Sequence, residues 1–247
     1  MKNLCLALFY LLLIWGCGPK KNMTGTSPGY RQLSVEESKK LITPTLYYIP
    51  VYNQSTLPCE ARRVLKDEKG NDIIAVCQSV YDSCLMQGTC QILSSGQRLL
   101  INVGSVVGSE RRFTLIKNST CIYGIGASKK LVSKTKTMCL DPYYSVAADL
   151  DIYTVGDVIF IPSLVGLAMP DGSIHDGYLI VRDAGGAIKG YGRFDFFTGF
   201  TLNKISNPLA QLGFADKQTH VPYFLVTGEQ ALQILIKRSY PLLSDKK

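Results

Sequence analysis

Two aspartates, Asp183 and Asp195, stand at the ends of a glycine-rich segment that lies between two apolar runs. Carboxyl groups so placed suit proton transfer: a protonated one donates to a leaving oxygen, an ionised one accepts a proton. Residues 178–181 read as a buried strand, and Ala184-Gly185-Gly186 permits positive φ and a sharp reversal. Over 193–197 the period-2 alternation puts Arg193, Asp195 and Phe197 on one face and Phe194 and Phe196 on the other. A carboxylate flanked by aromatic rings costs desolvation energy, and a structural role seldom explains that cost. Asp195 is therefore a site candidate. To be largely protonated near neutral pH such a carboxyl needs a pKa about two units or more above the ordinary value of about 3.9. Burial against Phe194, Phe196 and Phe197 pushes that way, as does a like charge at Asp183 or Asp149.

Other chemistries find less support. No Gly-x-Ser-x-Gly elbow occurs, and the glycine run lacks the Gly-Lys-Ser/Thr ending of a phosphate loop. Metal binding is disfavoured, because there is no Cys-x-x-Cys pair and His175 and His220 are far from the cysteines in sequence. No cofactor is expected. Bland readings stand beside the chemical ones: Asp183 can cap a turn through its own side chain, and the glycines can serve backbone geometry alone. Tyr47, Tyr48, Tyr143, Tyr144 and Tyr191 can stack on sugar faces, although aromatic strand residues more often pack in a core.

The elements that must position these residues are mostly β. A β-rich run begins at Thr45 and extends to Tyr52. Further short strands are predicted at 73–76, 90–93, 99–103, 112–116 and 131–132, separated by turns such as 69–72 and 94–97. Helix is expected in two places. Ser34 and Glu37 form a capping box ahead of a short helix ending near Leu41, and Thr227 and Gln230 open another over 231–236. Leu232, Leu235 and Ile236 are its predicted core stripe.

The chain has 247 residues and a formal net charge of +8, which suits an anionic polymer or headgroup layer. Nucleic acid is disfavoured, since no recognition-helix pattern occurs. Residues 1–16 read as a signal peptide: Lys2, an apolar run over 4–15, then Gly16. Ile14-Trp15-Gly16-Cys17 resembles a bacterial lipobox, making Cys17 the expected lipidation site and 17–44 an anchored, flexible tether with a short helix. Gly18 after the cysteine implies outer-membrane sorting, facing the periplasm. Of eight cysteines, Cys59, Cys77, Cys84, Cys90, Cys121 and Cys139 remain for up to three disulfides. Their count leaves about fifteen connectivities open.

Asp183-Ala-Gly-Gly-Ala-Ile-Lys-Gly190 followed by Arg193-Phe-Asp-Phe-Phe-Thr-Gly199 resembles the signature of the three-aspartate (3D) domain. The lytic murein transglycosylase A family carries that domain. The family's first aspartate precedes a glycine by seven residues, as Asp149 precedes Gly156, with Leu150 standing where proline is usual and Asp151 as a possible substitute. The resemblance is strong over 145–200 and implies a six-stranded double-psi β-barrel with elaborated loops or a small inserted subdomain. It places the first part of the barrel and a disulfide-stapled β insertion at 45–140, and the 3D domain at 141–240.

The implied activity is peptidoglycan lytic transglycosylation: cleavage of the β-1,4 bond between N-acetylmuramic acid and N-acetylglucosamine, leaving 1,6-anhydro ends. Asp195 would be the acid/base, with Asp183 and Asp149 orienting substrate and sharing charge. Gly185, Gly186, Lys189 and Tyr191 are the implied substrate contacts. The expected partners are peptidoglycan glycan strands and, through the lipid, a membrane. The rival readings are a non-catalytic peptidoglycan-binding module on the same barrel and a hydrolytic muramidase using two carboxyls.

Overall fold

The computed structural model describes residues 41–54, 56, 59–117, 121–126, 138–200, 205–217 and 219–243. The expected signal peptide, the lipid-bearing Cys17, nearly all of the tether with its helix, and the strand at 131–132 lie outside these residues. The described chain is mostly β with few helices.

Six strands make one sheet: β1 (Thr43–Tyr47), β8 (Ser145–Ala147), β9 (Val158–Phe160), β10 (Tyr178–Asp183), β11 (Arg193–Phe197) and β12 (Phe224–Val226). Their order is β1-β11-β8-β10-β9-β12. Pairing is parallel for β1/β11 and β8/β10 and antiparallel elsewhere. Six strands are thus present as expected, in an open order. Among the described residues no pairing joins β1 to β12, so closure into a barrel is not seen. Val146, Ile159, Leu179, Val181, Phe194 and Phe196 fill the core on one side of this sheet, each at most 0 % exposed. Apolar positions of the four inner strands supply that layer, alternating along β10 and β11 as period-2 side-chain geometry requires.

The intervening chain builds a second β unit. Strands β2 (Val51–Asn53), β5 (Thr89–Ser94), β6 (Gln97–Val107) and β7 (Glu110–Leu115) form a four-stranded sheet, and β3 (Arg62–Lys66) pairs with β4 (Asp72–Cys77). The predicted run from Thr45 to Tyr52 is split between β1 and β2, because Pro50 lacks the N–H that a continuous ladder needs. Helix α1 (Gln78–Gln87), which the sequence reading missed, packs Val80, Tyr81 and Cys84 against Ile92, Ile101 and Phe113. Disulfides join Cys59 to Cys77, Cys84 to Cys90 and Cys121 to Cys139. The first two staple the ends of α1 to their surroundings; the third closes the segment that leads into the six-stranded sheet.

Two short helices follow, α2 (Pro208–Gln211), capped by the Asn207 side chain, and α3 (Gly228–Lys237). Thr227 precedes α3 as expected but makes no side-chain cap bond. The predicted core stripe of α3 is corrected: Ile234 is the buried residue, whereas Leu232 and Ile236 are 56 % and 68 % exposed. Periodicity predicts the helix, but what it docks against decides which side is covered. No helix among the described residues is long and apolar enough to cross a membrane.

Candidate active site

Strand register brings the two motif aspartates together. Ala147 on β8 pairs with Asp195 on β11 and with Asp183 on β10, while Asp195 pairs with Thr45 on β1. Residues directly opposite on neighbouring strands share a face. Thr45, Asp195, Ala147 and Asp183 therefore form one row across four strands. Asp183 and Asp195 are two strands apart, roughly 10 Å at the ~4.8 Å spacing of a sheet. Ala147, buried and small, keeps the space between them open.

Thr45 Oγ1 donates to Asp195 Oδ1 at 2.7 Å. Tyr47, two residues on and so on the same face, donates its hydroxyl to Asp183 Oδ2 at 3.0 Å. The backbone N–H of Ala184 donates to Asp183 Oδ1 at 2.9 Å, the turn-capping bond that the bland reading allowed. Burial pushes the Asp195 carboxyl above its ordinary pKa, opposed by the Thr45 hydrogen bond and the Arg193 charge. The Arg193 guanidinium is spent on the carbonyls of Thr43 and Phe194, at 3.2 and 2.9 Å. Phe194 and Phe196 lie on the reverse face, in the core, so the rings beside the row are those of Tyr47 and Phe197, 5.1 Å apart. The Tyr47 phenol is itself pushed up by burial first, then by the Asp183 and Asp195 charges.

Asp149 does something different. Its Oδ2 accepts from the Gly190 backbone at 3.0 Å, and its Oδ1 from Lys189 Nζ at 2.9 Å and the Asp151 backbone at 3.2 Å. These bonds, the Gly190 N–H foremost, hold its carboxyl at about 2. Lys189 also reaches Asp151 Oδ2 at 2.9 Å. Asp149 is thus an ionised tie on the glycine loop. The loop's positive-φ residues are Gly190 and Gly192, and the positive φ that Gly185 and Gly186 would permit is not used. At Gly192 a Cβ would also sit 2.5 Å from the Leu41 carbonyl oxygen, so only glycine fits where the loop crosses the incoming chain.

A carboxyl with a depressed pKa stabilises the fold above its unfolded pKa and loses that contribution as pH falls through the folded value. For Asp149 the window runs from the ordinary carboxylate range down to about 2. Asp149→Asn is expected to flatten the fall in melting temperature across that window relative to the wild type. Thermal melts followed by circular dichroism at stepped acid pH check this; parallel wild-type and variant curves would contradict the tie.

A cleft of about 630 Å³ opens beside the row. Asp149, Asp183, Gly185, Gly186 and Lys189 line one wall. Gln87, Thr89, Asn102 and Arg111, from α1, β5, β6 and β7, line the other. Asp195 does not line this cleft, and neither does Tyr191, which is exposed. Gly186 leaves open space where a side chain would intrude, as a sugar contact requires, while Gly185 is packed against Ile188. The sequence reading missed Thr45 and the Tyr47–Asp183 bond, and with them the far wall. The Thr-x-Tyr alternation of β1 was the one signal for the first two. Among the described residues no cluster of three or more metal-ligating side chains occurs.

The sheet thus aligns two motif carboxyls in one row, of which Asp183 lines a polar cleft. Residues 144–207 match the model of the 3D domain. The solved structures similar to the chain include Escherichia coli MltA with bound chitohexaose, at 17 % identity over 74 % of this chain and 70 % of that one, TM-score 0.46. The membrane-bound lytic murein transglycosylase from Agrobacterium tumefaciens is 16 % identical over 76 % and 75 %, TM-score 0.44. The lytic transglycosylase LtgG of Burkholderia pseudomallei is 14 % identical over 75 % and 71 %, TM-score 0.40. No curated protein matches the chain in sequence.

Proposed function

We propose that this protein is a peptidoglycan lytic transglycosylase that cuts the β-1,4 bond between N-acetylmuramic acid and N-acetylglucosamine. The observation that carries the proposal is the row: Asp195, its carboxyl pushed toward the protonated form, stands in register with Asp183 in a 3D domain. Asp195 gives its proton to the glycosidic oxygen as that bond breaks. The muramic C6 hydroxyl closes on the anomeric carbon and returns its proton to Asp195, so no water is consumed and the product ends in a 1,6-anhydro ring. A single carboxyl serves as acid and then base. Asp183, its hydroxyl partner Tyr47 and the ionised Asp149 orient the glycan and hold the loop, with Gly186 offering room for a sugar ring.

The strands are proposed to close as a double-psi barrel, with 45–140 as its opening strand plus insertion and 141–240 as the 3D domain. Residues 1–16 and Cys17 are proposed to export the chain and anchor it by lipid to the outer membrane, facing the periplasm.

One observation favours a second reading, a non-catalytic glycan-binding module: the cleft is lined by Asp149 and Asp183 but not by Asp195. A muramidase would leave reducing ends instead. Incubation of purified peptidoglycan with the protein, followed by mass spectrometry, separates the three. Anhydro ends are the expected result; reducing ends or no new ends would overturn it.

A further inference from the structure

Asp183 shares the row only because β10 carries a bulge. Val181 pairs with Val146, yet Asp183 pairs with Ala147, so Arg182 is the extra residue. Regular pairing would set Arg182 opposite Ala147 and move Asp183 one position on, turning its side chain toward the other face. Something must hold the extra residue out of the ladder.

The Arg182 side chain is fully buried, a costly place for a charge unless its donors are satisfied. Its Nη1 donates to the carbonyls of Cys139, Pro241 and Leu242 at 2.8, 3.1 and 3.0 Å, and its Nη2 to that of Arg238 at 3.3 Å. Three of these four acceptors belong to the C-terminal stretch that follows α3. The fourth is on Cys139, which is tied to Cys121 by a disulfide and to Pro241 by its own N–H. The ring of Tyr240 lies 5.3 Å from the guanidinium carbon. On the backbone side, a Cβ at Gly126 would stand 2.0 Å from the Arg182 carbonyl oxygen, so that segment presses directly on the bulge. A guanidinium is suited to this task because its donors fan out in a fixed plane, which an ammonium cannot imitate.

We propose that Arg182 is a positioning residue for the site: by fastening the bulge to the C-terminal stretch and to Cys139, it keeps Asp183 in the row with Asp195 and within reach of Tyr47. The inference rests on the row being the reactive site. It makes the segment from 238 to 242 part of the site's scaffold, although none of it lines the cleft.

Arg182→Lys keeps the buried positive charge and serves fewer of the carbonyls, whereas Arg182→Gln removes the charge. Two readouts apply to the intact protein. The first is the carbon-13 chemical shift of Tyr47 Cζ at neutral pH, which senses the hydrogen bond to the Asp183 carboxylate without requiring turnover. Relative to wild type, folded Arg182→Lys is expected to move that shift toward the value of a phenol without this bond, and folded Arg182→Gln further still. The second is release of anhydro ends from peptidoglycan, with kcat falling about tenfold or more and KM changing little, as expected for a misplaced group. A folded Arg182→Lys protein whose Tyr47 Cζ shift matches wild type would overturn the proposal, whatever its turnover. Should wild type release no anhydro ends, the transglycosylase reading fails while the Tyr47 shift still decides whether Arg182 sets the register.

Discussion

Asp195→Asn is expected to lower the release of anhydro ends by on the order of 10³-fold, the range that a positioned general acid/base supplies. Asparagine keeps the size and can still accept from Thr45 Oγ1, so the row itself should persist. What it lacks is a proton to give and then take back. The same variant has a stability signature of opposite sign. Burial raises the Asp195 pKa in the folded chain, so folding favours the protonated form, and that contribution is lost as pH rises through the folded pKa. At neutral pH the wild type has lost part of the stability that the raised pKa supplies in acid, and Asp195→Asn should melt no lower. At a pH below the ordinary carboxylate range the difference should vanish. End-group mass spectrometry and paired thermal melts check both halves. Retained activity, or a variant that unfolds at neutral pH, would show that the carboxyl holds the strand rather than performing chemistry.

Phe194→Ala is expected to be the most destabilising single change on the strand that carries Asp195. The ring is fully buried and meets those of Tyr153, Phe196 and Tyr223 at centroid distances of 5.1, 6.5 and 5.2 Å. Truncation of such a ring costs about 3–5 kcal/mol, from lost transfer energy and the cavity left behind. Against a total stability of roughly 5–15 kcal/mol that is a large share. At about 2–4 °C per kcal/mol for a chain of this size, the melting midpoint should drop by roughly 10 °C. The damage should also reach the site. Tyr153 and Tyr223 share a hydroxyl–hydroxyl bond of 2.7 Å, and Tyr153 accepts from the Gly192 N–H at 2.9 Å. Loosening this aromatic layer therefore frees Gly192, next to the stretch of the loop that Asp149 holds at Gly190. Differential scanning calorimetry gives the midpoint directly; a shift under about 2 °C would mean that the layer repacks around the gap.

Much of the site was legible residue by residue. The alternation in β11 predicted that Phe194 and Phe196 share one face and Asp195 the other, and the two phenylalanines lie together in the core. The spacing of Asp183, Asp195 and the glycines marked the segment, and the six late cysteines predicted a disulfide framework that the structure contains. Other features were hidden for definite reasons. Helix α1 has no clear apolar stripe in Gln78–Gln87; it forms where Val80 and Tyr81 find a β surface and where Cys84 is linked to Cys90. The bulge at Arg182 has no glycine or proline to announce it, because its cause is a set of carbonyls supplied by residues 139 and 238–242. The distinct state of Asp149 depends on where the Gly190 N–H points, and composition carries no information about that.

Local alternation, turn residues and motif spacing are properties of short windows, and for these the chain's own order suffices: which stretches are strands, which face is apolar, which carboxyls are candidates. Pairing is decided elsewhere. Thr45 reaches Asp195 across 150 positions of sequence and Tyr47 reaches Asp183 across 136. The strands that meet, their register and the one displaced residue result from packing the whole core at once. The protonation bias of Asp195 follows from that packing, because burial in the assembled sheet raises its pKa.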